Sequence, residues 1–402
     1  MNGLPEKTAF GARLRRLRER RGLSRDVFGG LVGRSGEWVK AVESGRLMMP
    51  RLPMLTRMAE VLRVSDLADL TGGDRLPVES VTKGSHEALS VVADSMLAAT
   101  VPSLREEPDL AALTARIDEA WQRNVSRSDA KSAVAVVLPG LLDDARAAAR
   151  ALDGAGRRLA LAQLARVYSL AQTFLAWQPS AELVWMAAHG AMTAAQDADD
   201  PLAVAAAAWY FGEVYLSAGQ AERALSVALE AGALLDPEVS SEHRARWGLL
   251  QILAARAHGQ TGQAGDAWRF WDAASDAADA LGAQYSHPWL RFGRATVDGN
   301  ALALEVRLFR PGQALRRAHR LDLSAQPGPT TRAIRLLNIA EAHRQRAEPV
   351  GVVHMIGRAF RESAERVKYD TFARQALMEL SERRSAVRDE ARELAGQVGL
   401  FA

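Results

Sequence analysis

The side chains able to do covalent or metal chemistry are sparse in these 402 residues. Cysteine is absent, which removes disulfides, thiolate metal sites and cysteine nucleophiles together. The eight histidines (86, 189, 243, 258, 287, 319, 343 and 354) include no i, i+4 pair enclosing a carboxylate, the spacing of a zincin helix. Gly259, Gly262 and Gly265 fall between two helical stretches, whereas a phosphate loop follows a strand. Ser128 and Lys131 match a nucleophile–lysine spacing loose enough to arise by chance, and Gly33-Arg34-Ser35-Gly36 lacks the spacing of a nucleophile elbow. Asp197, Asp199 and Asp200 lack the glycine and distal glutamate of a calcium loop. The expectation is therefore no catalytic residue, no metal and no cofactor. What remains is hydrogen-bonding chemistry near the amino end. There Glu37 can accept and Lys40 can donate hydrogen bonds to a polar partner.

The elements that must position those two side chains are short helices. Phe10, Leu14 and Leu17 recur at i, i+4, i+7, with Arg13, Arg15, Arg16, Arg18, Arg20 and Arg21 on the remaining faces and Gly22 as the stop. Ser24 is placed to cap a second helix with Val27, Phe28 and Leu31 inward. Gly30 and Gly33 bracket a turn, and Ser35 caps a third helix that buries Val39 and Val42 and closes at Gly45. A fourth helix starts at Pro53 and turns Leu55, Met58, Ala59 and Leu62 inward. Ser65 caps a short fifth with Leu67 and Leu70, and Gly72-Gly73-Asp74 ends the unit. A capped helix, a glycine turn and a third helix with i, i+3 anchors leave one polar face free for a major groove.

Charge follows the same division. Residues 1–75 hold 15 Lys or Arg against 9 Asp or Glu, and the remainder holds 36 against 39. A basic head on a near-neutral body suits a head that meets phosphates. The start, Met1 to Lys7, carries no apolar core of signal-peptide length. The longest apolar run, Leu202 to Phe211, is ten residues, about half a membrane span. The expectation is a cytoplasmic chain with no membrane partner.

The run Phe10 to Arg21, Gly22-Leu23-Ser24, Ser35 to Arg46 with Val42-Glu43-Ser44-Gly45-Arg46, and Pro50 resembles the XRE or lambda-repressor-like helix-turn-helix family over about 60 residues. The resemblance places Gly36, Glu37, Lys40 and Ala41 at base-facing positions and Arg25, Ser44 and Arg46 at phosphate-facing ones. Arg34, Ser35 and Trp38 complete the candidate DNA-binding set. Arg25 stands where glutamine is common, Gly29 where alanine is usual and Arg34 where an apolar residue is typical. Gly36 and Ala41 offer no side-chain hydrogen bond, so direct reading falls to Glu37 and Lys40. Trp38 has two readings of equal weight: packing on a thymine methyl or sugar, or half-buried closure of the domain.

From about residue 86 the composition turns to Ala, Leu and Arg with helical periodicity. A pattern of small, larger, small residues at i, i+4, i+7 recurs: Ala181-Trp185-Ala188, Ala224-Ala228-Ala231, Ala267-Trp271-Ala274, Ala314-Ala318-Leu321 and Val352-Ile356-Ala359. Successive first members are 43, 43, 47 and 38 residues apart. Each set sits on the second helix of a pair whose first helix carries Tyr168, Tyr215, His258 or His343 near its end. Small residues let the paired helices approach, and no pair buries its face alone, so pairs stack.

This body resembles the tetratricopeptide-like (TPR-like) C-terminal halves of actinobacterial XRE regulators, best over Ala203 to Pro237 with Gly212, Tyr215, Gly219, Ala224 and Ala231 in register. The fold expected is all-α: an N-terminal five-helix helix-turn-helix domain (1–75), a linker (76–85) and an α-superhelical TPR-like stack of helical hairpins (86–402). Residues 86–152 and 369–402 are expected to be degenerate capping helices. Similar regulators hold short peptides in such a groove. Repeat register places Arg166, Trp209, Glu213, Arg256, Asn300, Asn338, Glu341 and Arg344 on it, against the alternative that these are ordinary solvated or inter-helix polar groups. The implied function is sequence-specific transcriptional regulation by a homodimer on double-stranded DNA (a short palindromic operator), with a peptide or small-molecule effector. The alternatives are a TPR-like protein-interaction scaffold with a tethering or regulatory head and, disfavoured by the missing catalytic constellation, an enzyme with an appended DNA-binding head.

Overall fold

The computed structural model describes residues 6–47, 49–50, 52–62, 64, 67–73, 84–98, 108–382 and 386–400. Every regular element among them is a helix. The chain divides into two compact units, one comprising Met1–Lys83 with Asp370–Ala402 and the other Gly84–Tyr369.

In the first unit, α1 (Glu6–Arg20), α2 (Arg25–Val32), α3 (Gly36–Glu43), α4 (Leu52–Leu62) and α5 (Leu67–Thr71) surround one core of Phe10, Leu14, Leu17, Phe28, Val32, Val39, Val42, Leu55, Met58, Ala59, Leu62, Leu67 and Leu70. The local signals act as expected. Ser24 Oγ accepts from the Val27 amide and Ser35 Oγ from the Trp38 amide, both at 3.2 Å. Gly33 closes α2 in the left-handed region at φ 74°, which favours glycine. Ser65, Asp74 and linker residues 76–83 lie outside the described residues.

Two expectations for this unit are corrected. Val27 and Leu31 do not point inward: they are 52% and 49% exposed, and α2 buries Phe28, Gly29 and Val32. The cause is Gly29. A Cβ there would press into the carbonyl of Arg34 and the backbone of Ser35, so α2 rests on the following turn through that glycine and its buried stripe is rotated by one residue. Arg18 is likewise not on a solvated face but 6% exposed, held by Glu43.

The unit also contains α20 (Thr371–Glu382) and α21 (Arg388–Gln397), which pack on each other. Periodicity places 369–402 with the repeats as capping helices, whereas Asp370–Ala402 groups with the first unit. A terminal hairpin carries the same small-residue periodicity wherever it packs, so periodicity could not assign it to a unit.

The second unit begins with α6 (Leu89–Leu97), α7 (Leu110–Ser126) and α8 (Ala130–Ala151). Five hairpins follow: α9 (Gly154–Leu175) with α10 (Ala181–Asp197), α11 (Pro201–Ser217) with α12 (Ala221–Gly232), α13 (Ser241–Thr261) with α14 (Ala264–Leu281), α15 (Arg294–Arg307) with α16 (Pro311–Arg320), and α17 (Gly328–Gln345) with α18 (Pro349–Glu362). A short α19 (Ala364–Lys368) ends the unit. The small-residue sets fall on the second helices. Ala224, Ala228, Ala231, Ala267, Ala274, Val352, Ile356 and Ala359 are buried. In α10, by contrast, Ala181 is exposed and Ala187, Ala188 and Ala191 are buried. The first-helix rings pack as the pairing requires: a Cβ on Gly190 would touch the Tyr168 ring, and one on Gly351 would enter the His343 ring. His258 stacks on Phe270 with ring centroids 5.3 Å apart.

The hairpins do not end in an open stack. Glu365 of α19 accepts from the amides of Lys131 at 2.7 Å and Ser132 at 2.8 Å and from the Ser132 hydroxyl at 2.7 Å, while Ser363 Oγ donates to the Ser128 carbonyl at 2.5 Å. A carboxylate more than 230 residues downstream thus satisfies the free N–H groups at the start of α8 and complements that helix dipole. The contact joins α19, which follows the last hairpin, to the start of α8, which precedes the first.

Candidate functional site

The cap on Ser35 fixes where α3 starts, and its two apolar anchors fix how it is rotated. Val39 and Val42 are buried, Gly36, Trp38 and Ala41 are half-buried, and Glu37 and Lys40 are exposed on the opposite side. Lys40 Nζ lies 3.5 Å from Glu37 Oε1, an exposed pair that water competes with freely. Beyond the helix, Ser44 Oγ donates to the Ala41 carbonyl at 3.1 Å and Arg46 Nε donates to Ser44 Oγ at 3.3 Å. Arg34 sits 5.7 Å from the Trp38 ring centroid, a cation–π contact. Trp38 also packs on the edge of the head core. Nine of the ten candidates therefore lie on α3 or within three residues of its ends, Arg25 opens α2, and Gly36 has a packing duty. A Cβ there would run into the Asp26 carboxylate, so the glycine admits close crossing of α2 and α3.

The residue that sequence reasoning missed is Glu43. Its carboxylate is buried and accepts from Arg18 Nε at 2.6 Å and Nη2 at 3.3 Å of α1, and from Arg25 Nε at 2.7 Å at the front of α2. Arg18 Nη1 also donates to the Leu23 carbonyl at 2.6 Å. One carboxylate at the end of α3 thus fixes three helices and the turn between two of them. Arg25 is not a free phosphate contact: its Nε is committed to Glu43, and the side chain is 39% exposed, leaving its terminal nitrogens for a phosphate. The only sequence signal was a charged residue directly after the buried Val42.

Residues 9–70 match the family model described as a helix-turn-helix domain. The match runs from within α1 to Leu70, one residue before the end of α5. The head is a helix-turn-helix domain. None of the curated proteins compared with the chain matches it. Among solved structures the chain is similar to Bacillus thuringiensis PlcR in complex with the peptide PapR7 and DNA, at 10% identity and a TM-score of 0.31, over 85% of this chain and 98% of that one.

In the second unit the eight groove candidates separate. Trp209 and Glu213 of α11 meet Arg256 of α13: Arg256 Nη1 lies 2.5 Å from Glu213 Oε1, and its guanidinium is 5.7 Å from the Trp209 ring centroid. Arg166 is elsewhere, paired with Asp118 at 2.5 Å, over Trp289 at 5.2 Å, in the wall of a cavity of about 320 Å³. That cavity also presents Arg246, Glu242 and His287. Glu242 is held down to about 2, first by its bond to His287 and then by Arg246, while burial lowers His287. Asn300 spends its amide on the Thr296 carbonyl of its own helix at 2.8 Å, and Glu341 pairs with Arg344 at 2.7 Å on the surface of α17. Asn338 is half-buried. Register reasoning missed Arg307 and Arg335, on whose charge Arg256 acts, and Arg291, which acts on Arg335 and bonds Thr331.

Among the described residues no helix is long and apolar enough to cross a membrane, and no group of three or more His, Asp or Glu is placed to hold a metal ion.

Proposed function

We propose that this chain is a sequence-specific DNA-binding transcriptional regulator of the XRE type, a cytoplasmic binding protein and not an enzyme. The observation that carries the reading is α3, a Ser-capped helix anchored by Val39 and Val42 that offers Glu37 and Lys40 outward beside Arg34, Ser44 and Arg46. A helix so held fits a major groove, where a lysine can read guanine and a glutamate a cytosine amino group. One such helix spans only a few base pairs, so affinity requires two half-sites about one turn apart, hence a homodimer on a short palindromic operator. The helical body is read as the part that dimerises, senses an effector, or both. An effector that binds one arrangement of the body better than another would shift the population of DNA-competent dimers.

The test is selection of the full chain on random duplexes at low ionic strength, followed by a salt titration of the winner. The reading expects an enriched two-half-site sequence and an affinity that falls with a log–log slope of roughly −0.9 per neutralised phosphate. No enrichment together with a flat salt dependence overturns it in favour of a protein-interaction scaffold.

A further inference from the structure

Several arginines of the hairpin stack are held by neutral groups and not by carboxylates. Arg335 of α17 is 6% exposed. Its Nε donates to Gln326 Oε1 at 3.1 Å, and Gln326 is itself anchored by donating to the Ala295 carbonyl at 2.7 Å. Gly299 on α15 leaves the space in which the guanidinium lies, since a Cβ there would overlap it. Arg291 donates from Nη1 to Thr331 Oγ1 at 3.0 Å. Both guanidiniums are braced by neutral groups that leave their charge uncancelled. Among the described residues no carboxylate pairs with Arg291, Arg307 or Arg335, and none accepts a hydrogen bond from Arg307 or from the terminal nitrogens of Arg335.

Thr331 lies one turn before Arg335 on α17, so Arg291 meets the face of α17 that carries Arg335, and the half-buried Arg307 packs on Gly259, one turn after Arg256 on α13. Burial first, then Arg256 and Arg291, push Arg335 down to about 9. Burial and Arg256 push Arg307 down to about 10. Burial and then Arg291 push Lys131, at the start of α8, down to about 7. The arginines stay charged at neutral pH. Glu213 is the carboxylate that acts on Arg307, and it is already paired with Arg256. A buried guanidinium without a counter-charge is costly, and arginine's planar fork is shaped for carboxylate and phosphate. Water and a neutral amide serve it less well than an oxyanion does.

We infer that Arg291, Arg335 and Arg307, with Arg256 beside them, form a binding site for a ligand bearing a carboxylate or phosphate group. Arg335 and Arg291 are pre-aimed by Gln326 and Thr331, and the ligand's oxyanion supplies the negative charge the protein omits. The inference gives a chemical class to the effector of the proposed regulator, and it rests on that reading only for the effector's role. The site itself is tested without DNA.

The experiment is thermal unfolding of the full chain by circular dichroism, with inorganic phosphate or citrate titrated against sodium chloride at equal ionic strength. The expected result is a saturable rise in midpoint with at least one oxyanion. Phosphate as the better probe indicates a phosphorylated ligand, and citrate a carboxylate one. Arg335→Gln and Arg291→Gln should each abolish the rise, Arg335→Lys should retain part of it, and Lys40→Ala in the head should leave it intact. The proposal is overturned if neither anion exceeds chloride, if the rise survives in both Gln variants, or if Lys40→Ala removes it. If the site holds while duplex selection fails, the body binds an anion without the chain being a DNA regulator.

Discussion

Replacing Glu43 with alanine probes how the reading helix is held. The carboxylate is 2% exposed and Arg18, its main partner, 7%. Truncation leaves the Arg18 guanidinium buried with the Leu23 carbonyl and, 3.5 Å away, the half-exposed carboxylate of Glu19, which solvent screens. Breaking a buried pair by removing one partner costs about 3–5 kcal/mol. The second partner, Arg25, is 39% exposed and solvent takes over most of its charge, so its loss adds under about 1 kcal/mol. A domain of roughly 65 residues has only about 3–10 kcal/mol of stability in all. The substitution should therefore bring the head close to its unfolding midpoint while the body stays folded. Hydrogen exchange of the full chain, followed by mass spectrometry, reads this directly. Amides of α1 to α3 that exchange by opening of the head should speed up by about 100-fold or more, since each 1.4 kcal/mol is tenfold, with peptides from α13 and α14 unchanged. Replacing both Arg18 and Glu43 with methionine removes the stranded charge and should recover most of the loss. The reasoning is refuted if Glu43→Ala exchanges within about threefold of wild type, or if the double variant is as unprotected as the single one.

Gly11→Ala should destabilise the head by about 1–3 kcal/mol, because the new methyl meets the Glu43 and Val42 backbone carbonyls, which cannot swing away. Gly30→Ala has open space and should instead stabilise it by about 0.5–1 kcal/mol; equal effects in the same exchange experiment would contradict the packing. Lys131 is lowered to about 7 in the folded body by burial and then Arg291, with Glu365 opposing and Arg366 adding. Between about pH 7 and 10.5 the unfolded chain thus holds a proton that the folded chain lacks, and stability rises with pH by up to about 1.4 kcal/mol per unit. Urea unfolding at pH 8 and 9 should show that slope in wild type and lose most of it in Lys131→Met, the remainder coming from Arg335, lowered to about 9; equal slopes would count against it. Ala224 is fully buried between paired helices, so Ala224→Glu should abolish the cooperative melt of the body followed at 222 nm, and an unchanged melt would argue against stacked hairpins.

What could be read from the sequence was local. Ser24 and Ser35 cap helices through their own side chains, and Gly22, Gly33 and Gly45 stop them, so the ends of α1, α2 and α3 were visible without any tertiary knowledge. The five hairpins were visible because the small-residue sets repeat at a hairpin's length. The buried face of α2 was misread because one residue of rotation turns a helix by about 100°, and that rotation is set by Gly29 lying on the Arg34 carbonyl, a contact made outside α2. Glu43 with Arg18 and Glu365 with Lys131 and Ser132 join residues 25 and more than 230 positions apart, and no periodicity encodes such pairs. Repeat register placed Trp209, Glu213 and Arg256 on one groove, and Arg256 contacts the other two between α11 and α13. It could not find Arg291, which lies between hairpins, nor foresee that Asn300 would satisfy itself on Thr296.

The central claim is that the outward face of α3 reads base edges while its flanks hold the backbone. Its most direct test is fluorescence anisotropy of the full chain on a selected duplex and on single-base variants of it, for wild type, Lys40→Ala, Glu37→Ala and Arg46→Ala. Lys40→Ala and Glu37→Ala should each relax discrimination at particular positions by about 1–3 kcal/mol, whereas Arg46→Ala should weaken every duplex alike and lower the salt slope by about one. A uniform loss from all three variants, or none from any, would contradict it.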